Sequence, residues 1–158
     1  MTGNIVARAL HVLFVVIWIG GVFMVTAVIL PAIRRGDLGP DRLRAFQAIE
    51  NRFVGFARLS VIVVGATGLY MIVQDDLWSR FHDAQFWWMH AMVCLWLIFA
   101  VILFVAEPFV LHRRLPAMAA ANPDRVFGRL NRGHWLLLVL SLITVFGAVA
   151  GSHGWPIF

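Results

Sequence analysis

Four long apolar segments dominate this sequence of 158 residues. They cover about residues 6–33, 53–73, 86–106 and 134–150, and a helix needs about 20 apolar residues to cross a bilayer. A backbone surrounded by lipid must satisfy its hydrogen bonds internally, so each segment is predicted to be a helix. The sequence therefore predicts one all-α domain over residues 1–158, an integral membrane four-helix bundle in contact with the lipid bilayer.

The composition excludes most other classes of protein. Hydrophobic residues make up 61% of the chain and charged residues 13%, whereas soluble domains carry about 25% charged residues. The net charge of +5 comes from arginines, since the chain has no lysine. These arginines cluster beside the apolar segments, where they mark orientation in a membrane. We therefore expect no nucleic-acid partner.

The 13 basic residues are divided unequally between the two ends of the predicted bundle. Six lie in the first connection and at the entry to the second helix, and five lie in the third connection. Only Arg8 and Arg80 lie on the opposite side. Positively charged connections stay in the cytoplasm. We therefore expect a bacterial plasma (inner) membrane protein with both termini non-cytoplasmic, and an amphipathic stretch, residues 41–50, along the cytoplasmic interface.

The histidines carry the strongest functional signal, because ligand-type residues inside a span are costly and mark functional sites. His11 begins the first segment and His90 begins the third, and these two helices run in the same direction. The pair is thus expected at matched depth in the outer half, where two imidazoles can ligate one haem iron. Trp18 lies on the apolar stripe of His11 and is expected to pack nearby. The alternative is that each histidine is interfacial or bonded to a carbonyl.

Further candidate ligands lie at both ends of the bundle. His153, which follows the fourth segment, is an alternative axial ligand or part of an outer metal site. A second, cytoplasmic site would be formed by His112, His134 and Glu107. The alternative for these three residues is binding of lipid headgroups or capping of helices.

Glu107 lies at the cytoplasmic end of the third segment and precedes a proline. Because an isolated charge in a membrane is costly, Glu107 is expected to pair with an arginine such as Arg34 or Arg58.

Several glycines lie inside the apolar segments, and small residues let helix backbones approach closely in membranes. The positions concerned are Gly20, Gly21, Gly65, Gly68, Gly147 and Gly151. We expect close packing between helices at these six positions.

Six methionines favour a second interpretation, because thioethers suit Cu(I). Methionines lie beside His90, and Met71 lies near the outer end of the second segment. The alternative function is therefore copper binding or copper transport, with His11, His90 and His153 among the ligands.

Short motifs occur in order along most of the chain. They are His11-Val-Leu-Phe-Val-Val-Ile-Trp18-Ile-Gly-Gly, Asn51-Arg-Phe, Ala66-Thr-Gly-Leu-Tyr70, Trp88-Met-His90 and Arg129-Leu-Asn131. In sequence and spacing they resemble the HemJ-type membrane proteins and the CopD-like copper-resistance domains, at the level of a superfamily.

The HemJ-type resemblance implies a protein that binds haem b and oxidises protoporphyrinogen, with His11 and His90 as the haem ligands. That family carries a functional lysine in its fourth helix, whereas the corresponding region here is Val145-Phe-Gly147-Ala. Enzymatic activity is therefore left open, and no catalytic residue is identified. The CopD-like resemblance implies copper handling.

The leading prediction is a membrane cytochrome of b type with a redox role. A quinone, a porphyrin or another redox partner would exchange electrons with the haem. Whether the protein forms a homodimer is left open.

Overall fold

The computed structural model describes residues 2–155, except for the side chains of residues 110–112. Every regular element in that part of the chain is helical, which confirms the all-α class. Four helices are long and apolar enough to cross a membrane: Thr2–Arg35, Arg42–Gln74, Ala84–Phe109 and Pro123–Ser152. Only 22–28% of the residues in their most apolar stretches are buried inside the protein. So large an exposed apolar surface is typical of helices that contact a lipid bilayer.

We number the helices in chain order. They are α1 (Thr2–Arg35), α2 (Arg42–Gln74), α3 (Trp87–Val101, continued by wider turns over Ile102–Leu111), α4 (His112–Ala121) and α5 (Pro123–Ser152). Two short 3₁₀ segments, Leu77–His82 and Ala84–Phe86, connect α2 to α3.

The helices extend beyond the predicted apolar segments because polar residues cap them further out. The Asp41 carboxylate accepts the backbone N–H of Arg44 at the start of α2, and the Asn122 side chain accepts that of Arg125 at the start of α5. Such caps satisfy N–H groups that have no partner within the helix. The stretch expected along the interface instead forms the first turns of α2, which has 33 residues and a length of about 50 Å.

Two helices contain π-helical turns, and each of these turns is close to a proline. In α1 the wide turns cover Val25–Ile29, just before Pro31. In α3 they cover Ile102–Leu111, which includes Pro108. A proline inside a helix removes a hydrogen bond and clashes with the preceding turn, and a locally wider helix relieves that conflict in a membrane.

The first and third connections lie at one end of the bundle, which we call the arginine-rich end. Thr2 and Trp155, the first and last described residues, lie at the other end. A central core is formed where α1, α2, α3 and α5 meet, and it includes Trp18, Val22, Ala57, Val61, Phe99 and Leu138. A second core lies at the arginine-rich end, where α4 covers the ends of the long helices, and it includes Ile33, Phe46, Leu115, Ala119 and Phe127.

Five of the six glycines expected to bring backbones together instead receive aromatic rings, and Gly20 has no atom within 4 Å of an added Cβ. A Cβ added at Gly65 would lie 2.6 Å from the ring of Trp96, and the rings of Trp87 and Trp88 fill the corresponding positions at Gly147 and Gly151. The tryptophans of α3 thus fit into gaps on α2 and α5 that any larger residue would close.

Candidate functional site

His11 lies half-buried on α1 and faces α2. Its Nδ1 is 3.0 Å from the Thr67 hydroxyl oxygen, which in turn is 2.6 Å from the carbonyl oxygen of Val63. A carbonyl can only accept, so the single hydroxyl proton of Thr67 goes to Val63, and the hydroxyl oxygen must accept from His11 Nδ1–H. This assigns the proton of neutral His11 to Nδ1. In this tautomer Nε2 keeps its lone pair.

Gly68 makes room for the imidazole of His11 on the surface of α2. A Cβ at this position would lie 3.3 Å from Cε1 and 3.6 Å from Nδ1 of the ring. The position and tautomer of His11 are therefore set by Thr67 and Gly68, two neighbouring residues of α2. This support resembles the outer-shell hydrogen bond that orients a histidine ligand and fixes its tautomer.

His90 lies on a different surface. Its side chain is exposed, and its ring contacts the edge of Phe81, with ring centroids 5.3 Å apart. The residues that follow on the same helical stripe, Cys94, Leu97 and Val101, are exposed as well. The stripe of His90 thus points away from the interior of the bundle, and the structure does not bring His90 and His11 to one space. Ligation of a single haem by both residues of one chain stays a prediction that this arrangement does not favour.

The remaining predicted residues are dispersed. Trp18 is 5% exposed in the central core, and its ring meets that of Phe99 edge to face at 4.8 Å. His153 is exposed beyond α5, and its Nδ1 is 2.8 Å from the carbonyl oxygen of Val149. The side chain of His112 lies outside the described residues.

A cavity of about 100 Å³ lies inside the half of the bundle that is nearer the arginine-rich end. Apolar and aromatic side chains from α1, α2, α3 and α5 form most of its wall. Four residues with polar groups also line it: Trp18, Glu50, Glu107 and His134. Polar groups at this depth are costly unless they are paired or used, so this cavity is the second candidate site.

An ion pair lies at one side of the cavity. Arg58 Nη2 is 2.6 Å from Glu107 Oε2, and Arg58 Nε donates to the carbonyl oxygen of Leu103 at 3.0 Å. In a π-helical turn that carbonyl would bond the N–H five residues on, but residue 108 is a proline and has no N–H. The arginine side chain therefore supplies the missing donor. Of the two arginines expected to pair with Glu107, the structure shows Arg58.

His134 lies half-buried on α5 and lines the same cavity. Its Nδ1 is 2.9 Å from the carbonyl oxygen of Leu130, one turn earlier. A carbonyl only accepts, so Nδ1 carries the proton and Nε2 keeps a lone pair. Glu107 and His134, predicted together as a second site, do line one cavity.

Glu50 is the site residue that the sequence reasoning missed, because its segment was expected to lie along the interface. A signal was present: Phe46, Val54 and Ala57 are buried, and a helical stripe through them passes through Glu50. Its carboxylate is half-buried and makes no hydrogen bond or ion pair with the described residues. The cavity therefore holds a carboxyl group that no described side chain pairs with.

Trp18 contributes an unpartnered donor. Its Nε1 is buried and has no hydrogen-bond partner within residues 2–155. No group of three or more histidine, cysteine or acidic residues suited to a metal ion occurs in the described part of the chain. The described polar groups that line this cavity include the Trp18 donor and several acceptors.

The fold and these two sites define a four-helix membrane protein with polar groups inside its bundle. Comparisons with protein-family models, curated proteins and solved structures find no match to this chain. The resemblance to HemJ-type and CopD-like proteins stays a prediction, and function has to be argued from the residues themselves.

Proposed function

We propose that this chain is a redox protein that binds haem b, with His11 as the residue that would hold the iron. One observation carries the proposal. His11 lies inside a membrane-spanning helix, and its hydrogen bond to Thr67 fixes the tautomer that leaves a lone pair on Nε2. Imidazole nitrogen is a common haem ligand, and the tautomer that Thr67 fixes leaves Nε2 unprotonated, as iron binding requires. Haem at this position would supply one-electron transfer.

The surroundings of His11 suit a flat apolar macrocycle. Its neighbours on α1 are exposed apolar residues, among them Leu10, Val12 and Leu13, so a porphyrin face there would contact lipid and aliphatic side chains. The chain offers one oriented imidazole at this place. His90 or His153 would complete the iron's coordination only after moving, or from a second copy of the chain.

Electron transfer is favoured over porphyrinogen oxidation. HemJ-type proteins carry a functional lysine in the fourth helix. This chain contains no lysine. A quinol or another reduced partner would be the electron donor.

Copper binding is the second candidate. Met71 is half-buried one helical turn beyond Thr67, on the face of α2 that meets His11, and a thioether beside an imidazole suits Cu(I).

The proposal extends to location and orientation. The membrane is a bacterial plasma membrane, and the arginine-rich end faces the cytoplasm because eleven of the 13 arginines lie at that end. Both termini and His11 then belong to the outer half of the bilayer.

Spectroscopy of the purified protein tests the haem proposal. Protein produced with added haem precursor should show a Soret band that shifts on reduction with dithionite, and a pyridine haemochrome assay gives the number of haems per chain. His11→Ala should lose the haem. Thr67→Val should lower retention and shift the reduction potential, and Thr67→Ser should restore both.

His82→Ala is the matched control, since His82 is exposed in the connection before α3; this variant should keep the full Soret band. The variant His90→Ala tests for a second ligand. If this variant loses haem, His90 is the second ligand of the iron. Full haem retention in His11→Ala contradicts the proposal, and a colourless protein with stoichiometric copper favours the second candidate.

A further inference from the structure

The cavity near the arginine-rich end has more hydrogen-bonding capacity than the described residues use. Trp18 Nε1–H is a buried donor without an acceptor. The Glu50 carboxylate and the Nε2 lone pair of His134 are acceptors that have no described donor. Buried polar groups are rarely left unpaired, and each exception requires an explanation. A ligand that both donates and accepts would satisfy all three groups.

The charges limit the chemical class of that ligand. An anion would find no free positive charge among the described lining residues, because Arg58 is already engaged by Glu107. A metal ion or an alkylammonium ion carries no lone pair for Trp18 Nε1–H. A neutral hydroxyl compound meets both demands, because each hydroxyl donates one hydrogen bond and its oxygen accepts others.

The walls of the cavity limit the ligand further. Phe46, Phe53 and Phe99 line it together with aliphatic side chains. Such surfaces favour a flat ring, since aromatic groups stack or pack edge to face. The cavity lies among helices that are long and apolar enough to cross a membrane, which favours a lipid-soluble ligand.

We infer that this cavity binds the headgroup of a lipid-soluble quinol. Its two hydroxyl groups donate to the Glu50 carboxylate and to Nε2 of His134, and one of its oxygens accepts from Trp18 Nε1–H. The oxidised quinone has only acceptors and would leave Nε2 of His134 without a donor. The site therefore selects the reduced form. Binding needs no haem, so this inference and the haem proposal fail or succeed separately.

Binding of decylubiquinol and decylubiquinone to the full-length protein in lipid nanodiscs tests the inference. Calorimetric titration without oxygen should give an affinity for the quinol about tenfold higher than for the quinone, because two hydroxyl donors are lost on oxidation. Empty nanodiscs provide the correction for partitioning of the probe into lipid.

Two variants separate the contacts. Glu50→Gln should weaken quinol binding about tenfold and leave quinone binding unchanged or stronger, because the amide can donate to a quinone oxygen. Trp18→Phe keeps an aromatic ring but removes the N–H, so it should weaken binding of both forms about fivefold. A general loss of structure would weaken the binding of quinol and of quinone alike. The helical content, measured by circular dichroism, verifies that each variant is folded.

Trp135→Phe is the matched control, since Trp135 is on α5 with 43% of its surface exposed and does not line the cavity; its affinities should equal those of the parent. Equal affinity of the parent for quinol and quinone contradicts the inference. The inference is also contradicted if the folded protein binds no quinol, in which case water alone satisfies the polar groups. It is contradicted as well if Glu50→Gln leaves quinol binding unchanged.

Discussion

The ion pair between Arg58 and Glu107 illustrates how single residues determine the interior of this bundle. The Glu107 side chain is 13% exposed and that of Arg58 is 36% exposed, so the pair is largely removed from solvent. Removing one member of such a pair leaves a charge that the surroundings cannot neutralise. The same arginine also satisfies the carbonyl of Leu103, so its loss affects two groups at once.

We predict that Arg58→Ala destabilises the protein by about 2–3 kcal/mol, less than for a fully buried pair because the arginine is partly exposed. Unfolding of the protein in mixed detergent micelles measures the free energy. Arg58→Met combined with Glu107→Leu should recover most of the loss, because no charge is then left unpaired.

The exposed pair of Arg42 and Asp124 is the control. Its nitrogen–oxygen distance is also 2.6 Å, but the Asp124 side chain is 86% exposed, and exposed pairs contribute about 0–1 kcal/mol. Arg42→Ala should therefore cost less than 1 kcal/mol by that estimate. Equal losses for Arg42→Ala and Arg58→Ala would contradict the assignment of Arg58 to a buried pair.

At the scale of the helices, the prolines determine where the cavity forms. The π-helical turns over Val25–Ile29 and Ile102–Leu111 both contribute lining residues to it. Wider turns of this kind occur often at functional sites. In α3 the missing N–H of Pro108 also explains why Arg58 reaches the Leu103 carbonyl. The cavity and its ion pair thus have a common cause in the sequence.

Packing between helices depends on tryptophans that lie against glycines. The Trp96 ring lies over Gly65, and its Nε1–H donates to the Val61 carbonyl at 2.8 Å. We predict that Gly65→Ala destabilises the protein by about 1–3 kcal/mol, because the added methyl group forces the ring out of place. Thermal unfolding in detergent measures the loss, and the emission of Trp96 should change if its hydrogen bond breaks.

Gly55→Ala is the matched control on the same helix. A Cβ there meets no atom within 4 Å, and alanine favours a helix over glycine by about 1 kcal/mol. This variant should be neutral or slightly stabilised. A stabilised Gly65→Ala protein would show that Trp96 does not lie against α2 as described.

The sequence predicted the features that depend on local patterns. The lengths of the apolar segments predicted the four long helices. The cost of an isolated charge in a membrane predicted that Glu107 pairs with an arginine. It could not give the rotation of α3, which decides that His90 faces outward while Trp87 and Trp96 face inward. Rotation depends on which side chains fit across a contact, and α3 is apolar on nearly all sides, so periodicity carries no information there. Glu50 was missed for a different reason. It precedes the second apolar segment, and the sequence did not show that α2 begins before that segment and carries Glu50 into the bundle.

For the molecule as a whole, orientation in the membrane is the property that decides which site faces which compartment. The arginine-rich end holds eleven of the 13 basic residues, and moving that charge across the membrane is disfavoured during insertion. We predict that the connection between α1 and α2 is cytoplasmic and that the connection between α2 and α3 is outside.

Cysteine labelling on intact cells tests this orientation, because Cys94 is the only cysteine in the chain and can be removed with Cys94→Ser. In that background, Leu38→Cys and Ser79→Cys introduce single thiols at exposed positions of the two connections. A membrane-impermeant maleimide should label Ser79→Cys on intact cells and Leu38→Cys only after permeabilisation. The reverse pattern would put His11 in the cytoplasmic half and the quinol cavity in the outer half, so that each partner would have to reach its site from the opposite side.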